Sequence, residues 1–224
     1  METVEYVSGH RMQIIKYAAA AILVIVLAGG TWIYREGKHT ERMNALNDAF
    51  KVYNSQVVAQ GNPPPFANYW FRTPAEKSAA VNKAFVGLAD KYPNSDEGMI
   101  AHYYLGVIAG DDGKTPEAEK QFKYVVDNAS NDYASLAKLS LAELYKADGK
   151  VDEGSKLIQS IINKPTTFVS KDEATIALAR LIEQTKPDEA RKLLEPLRTS
   201  MHSGVSQAAI GALGDMIQQQ SQPK

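Results

Sequence analysis

The side chains best equipped for chemistry are four histidines, His10, His39, His102 and His202, and two acidic pairs, Asp111-Asp112 and Asp152-Glu153. A zinc site or a general base needs such groups at a fixed short spacing. In H-E-x-x-H, for example, two imidazoles share one helix face. No two histidines of this chain are so spaced. Glycine-rich phosphate loops and the G-x-S-x-G elbow are also missing. There is no cysteine, which removes disulfides, thiolate nucleophiles and thiolate-bound zinc. The acidic pairs fall in a turn and at a helix start, where capping and the helix dipole account for them. A formal net charge of −1 supplies no attraction for nucleic acid. The sequence therefore predicts no enzyme, cofactor or metal, and directs attention to surfaces that bind other proteins.

Helices must build those surfaces. The stretch KYPNSDEGMIAHYYLG, Lys91 to Gly106, reads as a helix end, a proline stop, a polar turn and a new apolar helix. The helix pair that begins there recurs along the chain. One unit carries Leu105 and Gly106, a turn at Asp111, Asp112 and Gly113, then Ala118, Phe122 and Val125. A second carries Leu141, Ala142 and Tyr145, a turn at Asp148 and Gly149, then Gly154, Ile158 and Ile161. In a third, Leu178, Ala179 and Ile182 precede a shorter turn at Lys186 and Pro187, followed by Ala190, Leu194 and Leu197. Leu105 and Leu141 lie 36 residues apart, and in both of these units the two small residues are twelve apart. A small residue lets two helix backbones approach, and large apolar neighbours fill the groove beside it. One such pair cannot bury its own apolar face, so consecutive pairs must stack.

Leu105-Gly106, Asp148-Gly149-Lys150, and Glu117-Ala118 or Glu153-Gly154 before the second helix together resemble the tetratricopeptide repeat family. The resemblance implies an all-α helical-repeat solenoid whose first helices line a concave face. On that face it places Tyr103, Val107, Leu139, Glu143, Ile176 and Arg180 as a protein-binding floor for an extended or helical partner segment. The alternative for each is a place in the core between repeats. His102 falls where the repeat commonly carries an aromatic, and reads as a packed core histidine.

Upstream, KSAAVNKAFVGLADKYP supplies a second helix with Val81, Phe85 and Leu88. Its partner is HTERMNALNDAFKVYNSQVVA, in which Met43, Leu46, Phe50, Tyr53 and Val57 form an amphipathic stripe. That stripe either packs on the first repeat or forms a coiled-coil seam to a second chain. Between these helices lies GNPPPFANYWFRTP. Pro63, Pro64 and Pro65 forbid helix, while Phe66, Tyr69, Trp70 and Phe71 are too apolar for a solvated linker. The expectation is that residues 62–71 fold back on the helices they interrupt, with Phe66, Trp70 and Phe71 in contact, as a lid or as a permanent part of the core. At the far end Val205 to Gln219 is a final helix, expected to cap the solenoid with a polar outer face.

Between Lys16 and Arg35 runs YAAAAILVIVLAGGTWIY, eighteen residues without a formal charge. At a rise of about 1.5 Å per residue it spans about 27 Å, enough for a bilayer core. Tyr17, Trp32 and Tyr34 suit the membrane interface. Glu2 and Glu5 in the leader and the length of the run favour an anchor over a cleaved signal. Arg11 and Lys16 precede it and Arg35, Lys38 and Arg42 come after, a nearly balanced count compatible with either orientation.

The layout is thus a leader (1–16), a transmembrane anchor (17–34), a stalk, insertion and atypical first helix pair (39–98), three repeats (99–200), and a capping helix and tail (201–224). This order of parts resembles the YfgM-type ancillary subunits of the bacterial Sec translocon. The resemblance implies a single-pass inner-membrane protein with a periplasmic helical domain, binding partner or client proteins in envelope export or quality control, with translocon and chaperones as partners. A structural organiser dimerising through the stalk helix is the alternative.

Overall fold

The computed structural model describes residues 37–60 and 69–221. The leader, the apolar run 17–34, Pro63 to Pro65 and Phe66 lie outside the described residues. Among those described, no helix is long and apolar enough to cross a membrane.

The chain divides into two compact units, 1–48 and 49–224. In the first, residues 37–48 are helical, with Leu46 buried and Met43 exposed. In the second, helical residues 49–53 carry Phe50 and Tyr53, whose rings meet Phe85 and Tyr104 edge-on at 4.9–6.1 Å. Helix does not continue to Val57 as the stripe predicts. Asn54 closes a turn onto the Phe50 carbonyl, and Gln56–Val57 instead form a short strand, β1, with Val57 exposed.

β1 pairs in parallel with β2 (Trp70–Phe71), Gln56 opposite Trp70 and Val57 opposite Phe71. Then come α1 (Pro74–Lys91), α2 (Asp96–Asp111), α3 (Thr115–Asn128), α4 (Asn131–Ala147), α5 (Val151–Asn163), α6 (Lys171–Ile182) and α7 (Pro187–Leu194). A 3₁₀ turn at Glu195–Thr199 leads into α8 (Ser203–Ser221). The stops and starts are local chemistry. Thr73 and Ser95 each accept a hydrogen bond from the third backbone N–H of the helix they begin, and Ser170 with Glu173 forms a capping box. The turns after α2 and α4 are equivalent: Gly113 and Gly149 have φ of 73° and 74°, a region that side-chain-bearing residues resist.

The predicted pairs are α2/α3, α4/α5 and α6/α7, and each second helix of the first two pairs also packs on the first helix of the next. Ala109, Ala118, Phe122, Val125, Leu141 and Tyr145 share one core. Ile158, Ile161, Leu178, Ile182, Leu194 and Met216 belong to the next. Gly106 shows why the repeat needs its smallest residue there. A Cβ at that point would stand 2.7 Å from the Phe122 ring, inside contact distance. The last helix covers the core with Ala209, Ala212 and Met216, but its outer face is not polar as expected, since Ile210 and Ile217 are exposed on it.

Candidate protein-binding surface

The first helices α2, α4 and α6 form a row, α2 touching α4 and α4 touching α6. Polar bonds hold the row at fixed spacing. The Tyr103 hydroxyl on α2 lies 3.1 Å from the Ser140 hydroxyl on α4. Lys146 at the end of α4 donates to the Arg180 carbonyl of α6 at 2.6 Å and reaches Glu183 at 3.3 Å. That ammonium thereby satisfies a terminal helix carbonyl and sits at the negative end of the dipole. The second helices are tied in as well. Tyr145 of α4 donates to Glu119 of α3 at 3.0 Å, and Glu119 also holds Lys123 at 2.6 Å. The Lys123 hydrogen bond lowers the Glu119 carboxyl below its ordinary value against the opposing effect of burial.

The row holds the predicted floor residues differently. Tyr103 and Val107 are half-buried against the core of the first two repeats, and Leu139 is half-buried against the next. Glu143 and Arg180 are exposed. Ile176 is only 7% exposed and belongs to the core, so it is no part of an accessible floor. With a period of 3.6, the inward-facing and neighbour-facing positions of such a helix are adjacent, and spacing alone does not separate them. What remains is a face of apolar edges (Tyr103, Val107, Leu139) with one carboxylate and one guanidinium.

His102 is the packed histidine expected. Its Nδ1 is 2.7 Å from the Gln121 side-chain oxygen and its ring lies 4.2 Å from Tyr124. Among the described residues no group of histidines and carboxylates is arranged to hold a metal ion. Trp70 and Phe71 are half-buried. The Arg72 guanidinium covers Trp70 at 4.5 Å, while Val58 donates its N–H to the Phe71 carbonyl at 2.8 Å. Phe66 lies outside the described residues.

Two aromatic groups escaped the sequence reading. Tyr104 stacks on Phe85 at 5.3 Å, its hydroxyl pKa raised by burial and by its neighbours Tyr53 and Tyr103. It sits next to Tyr103 in a run of four large residues, where any of them fits the helix period. Phe168, 45% exposed, meets Tyr133 edge-on at 5.1 Å. The loop before α6 places it there, because Thr167 donates its N–H to Asp132 and Thr166 bonds Ser135. The signal for this was present: a lone aromatic in the polar loop NKPTTFVS.

The order of these helix pairs is that of a known family. The profile of the tetratricopeptide repeat-like domain matches residues 13–191, most of the chain. The chain belongs to this family, whose domains serve generally as non-catalytic scaffolds for protein–protein interaction. No curated protein and no solved structure matches it significantly.

Proposed function

We propose that this protein is a membrane-anchored scaffold whose first-helix face binds extended or helical segments of partner and client proteins in envelope protein export or quality control. Residues 17–34 would hold it in a bacterial inner membrane with the helical domain in the periplasm, beside the translocon and its chaperones. The observation that carries the reading is the row of α2, α4 and α6. It leaves Tyr103, Val107 and Leu139 partly accessible on α2 and α4, with Glu143 exposed on α4 and Arg180 on α6. Apolar edges supply affinity for an unfolded or helical segment, and the two charges set its direction. The anchor rests on the sequence alone, on eighteen uncharged residues bounded by Tyr17, Trp32 and Tyr34. The organiser reading has less support, because Phe50 and Tyr53 of the stalk stripe already pack on Phe85 and Tyr104.

A photo-reactive residue at Val107 or Glu143, with one at the exposed Lys156 of α5 as control, tests this reading in cells. Adducts to export-machinery or chaperone proteins from the first two positions and not from Lys156 are expected. Equal labelling from all three, or none, rejects the site. A reporter fused after Lys224 that is active only in the cytoplasm rejects the topology.

A further inference from the structure

We infer that the partner segment bound along the first-helix row carries an arginine, which Asp96, Tyr133 and Phe168 receive at the end of the row where these helices begin. The inference rests on the protein-binding reading above and adds the chemistry of the partner.

The register of the row brings the three residues together. Short turns reverse the chain after α2 and again before α4, so these two helices run the same way. The Tyr103–Ser140 contact sets residues 37 apart opposite each other. Seven residues earlier on each helix, two turns back, stand Asp96 and Tyr133, also 37 apart. Charge agrees with that placement. The Tyr133 hydroxyl pKa is raised first by burial and then by Asp96, Glu97 and Asp132, carboxylates all. Phe168 comes from the other side. The loop before α6 is pinned to α4 by the Thr167 N–H donating to Asp132 at 2.9 Å and by the Thr166 hydroxyl, 2.8 Å from that of Ser135. The core takes Val169, and the phenyl ring beside it is turned outward, edge-on to Tyr133.

Charge complementarity selects the occupant. The first turns of α2, α4 and α6 hold Asp96, Glu97, Asp132, Asp172 and Glu173 against one cation, Lys171. Glu97 is buried, Asp132 is engaged by Thr167 and Glu173 by its capping box. Asp96 is exposed. The helix dipole accounts for acids in a first turn, but not for an outward phenyl ring among them. Elsewhere Trp70, Tyr92 and Tyr145 each carry a cation of this chain, Arg72, Lys91 and Lys150. Among the described residues no cation lies over Tyr133 or Phe168. A carboxylate on the partner would meet like charge here, and a purely apolar side chain would desolvate Asp96 without pairing it. A guanidinium meets both demands, lying on a ring while it pairs with the carboxylate.

Fluorescence anisotropy of the full chain in detergent tests this with two dye-labelled peptides. They are equal in length and share the same leucines and alanines, but one bears arginines and its twin glutamates. The arginine peptide should bind at least about tenfold tighter. Phe168→Ser and Asp96→Asn should each weaken it at least about threefold with helix content unchanged. Glu189→Gln makes the same change of charge at an exposed position of α7, and should leave binding as it was. Equal binding of the twins, no binding of the arginine peptide, or indifference to both substitutions overturns the proposal. Val107→Ala separates it from the reading on which it rests. If that change weakens both twins alike and their charge is immaterial, the row binds segments and the arginine site falls. If it changes nothing while Phe168→Ser and Asp96→Asn both act, the arginine site stands and the wider floor falls.

Discussion

At Gly106 the absence of a side chain is itself the contact, since the Phe122 ring occupies the space a Cβ would need. Gly106→Leu should force α2 and α3 apart and cost about 1–3 kcal/mol or more by overpacking, read as a fall in thermal stability. An unchanged melting curve would show that the repeat register is misassigned. Glu119 makes a different kind of prediction, one in pH. Its carboxyl is held below its ordinary value by Lys123, with Tyr145 also donating to it. A group lowered on folding contributes stability above its unfolded value, about 4.3 for glutamate, and that contribution is lost as pH falls through the folded value. The stability gap between the wild type and Glu119→Gln should therefore be full at neutral pH and close in acid. A gap constant from about pH 7 to about pH 3, in chemical denaturation, would refute the coupling.

Among the elements, α4 and α6 are bridged at their ends by the side chain of Lys146. Lys146→Met would leave the Arg180 carbonyl and the nearly buried Glu183 carboxylate without their donor, costing about 1–2 kcal/mol of unfolding free energy. Denaturant midpoints for the pair check this, and no change would mean that water replaces the ammonium. The β1–β2 pair gives Trp70 a distinct signature. With Trp32 replaced, its emission should be blue-shifted and protected from iodide, and Arg72→Ala should red-shift it by removing the overlying guanidinium. Freely quenched emission in the parent would show the aromatic segment to be solvated. Legibility differed between these elements for physical reasons. The helix pairs were readable because close packing imposes small and large residues at fixed intervals, so Gly106, Ala142 and Ala179 announce themselves. The strand pair was not, since two residues on each side are too few to set up an alternation. Ile176 looked like surface because inner and flanking positions adjoin on a helix. The outer face of α8 was expected to be polar, and only the structure shows Ile210 and Ile217 exposed on it.

For the molecule as a whole, the proposed membrane attachment is tested at residues 17–34. If residues 17–34 span the membrane uncleaved, the mature chain should begin at or near Met1 and stay with the membrane through alkaline extraction. A soluble form beginning near Gly30 would identify a cleaved leader instead. The succession of helices has a further consequence, for how the chain comes to be folded. From α1 to α7 each helix is held chiefly by those next to it in sequence, so most of the loops that must close are short. Folding can start in any unit and spread along the chain one helix at a time. A half-made chain already contains everything its first repeats require. The order of emergence is then the order of assembly, and loss of structure should run the other way, fraying inward from the ends.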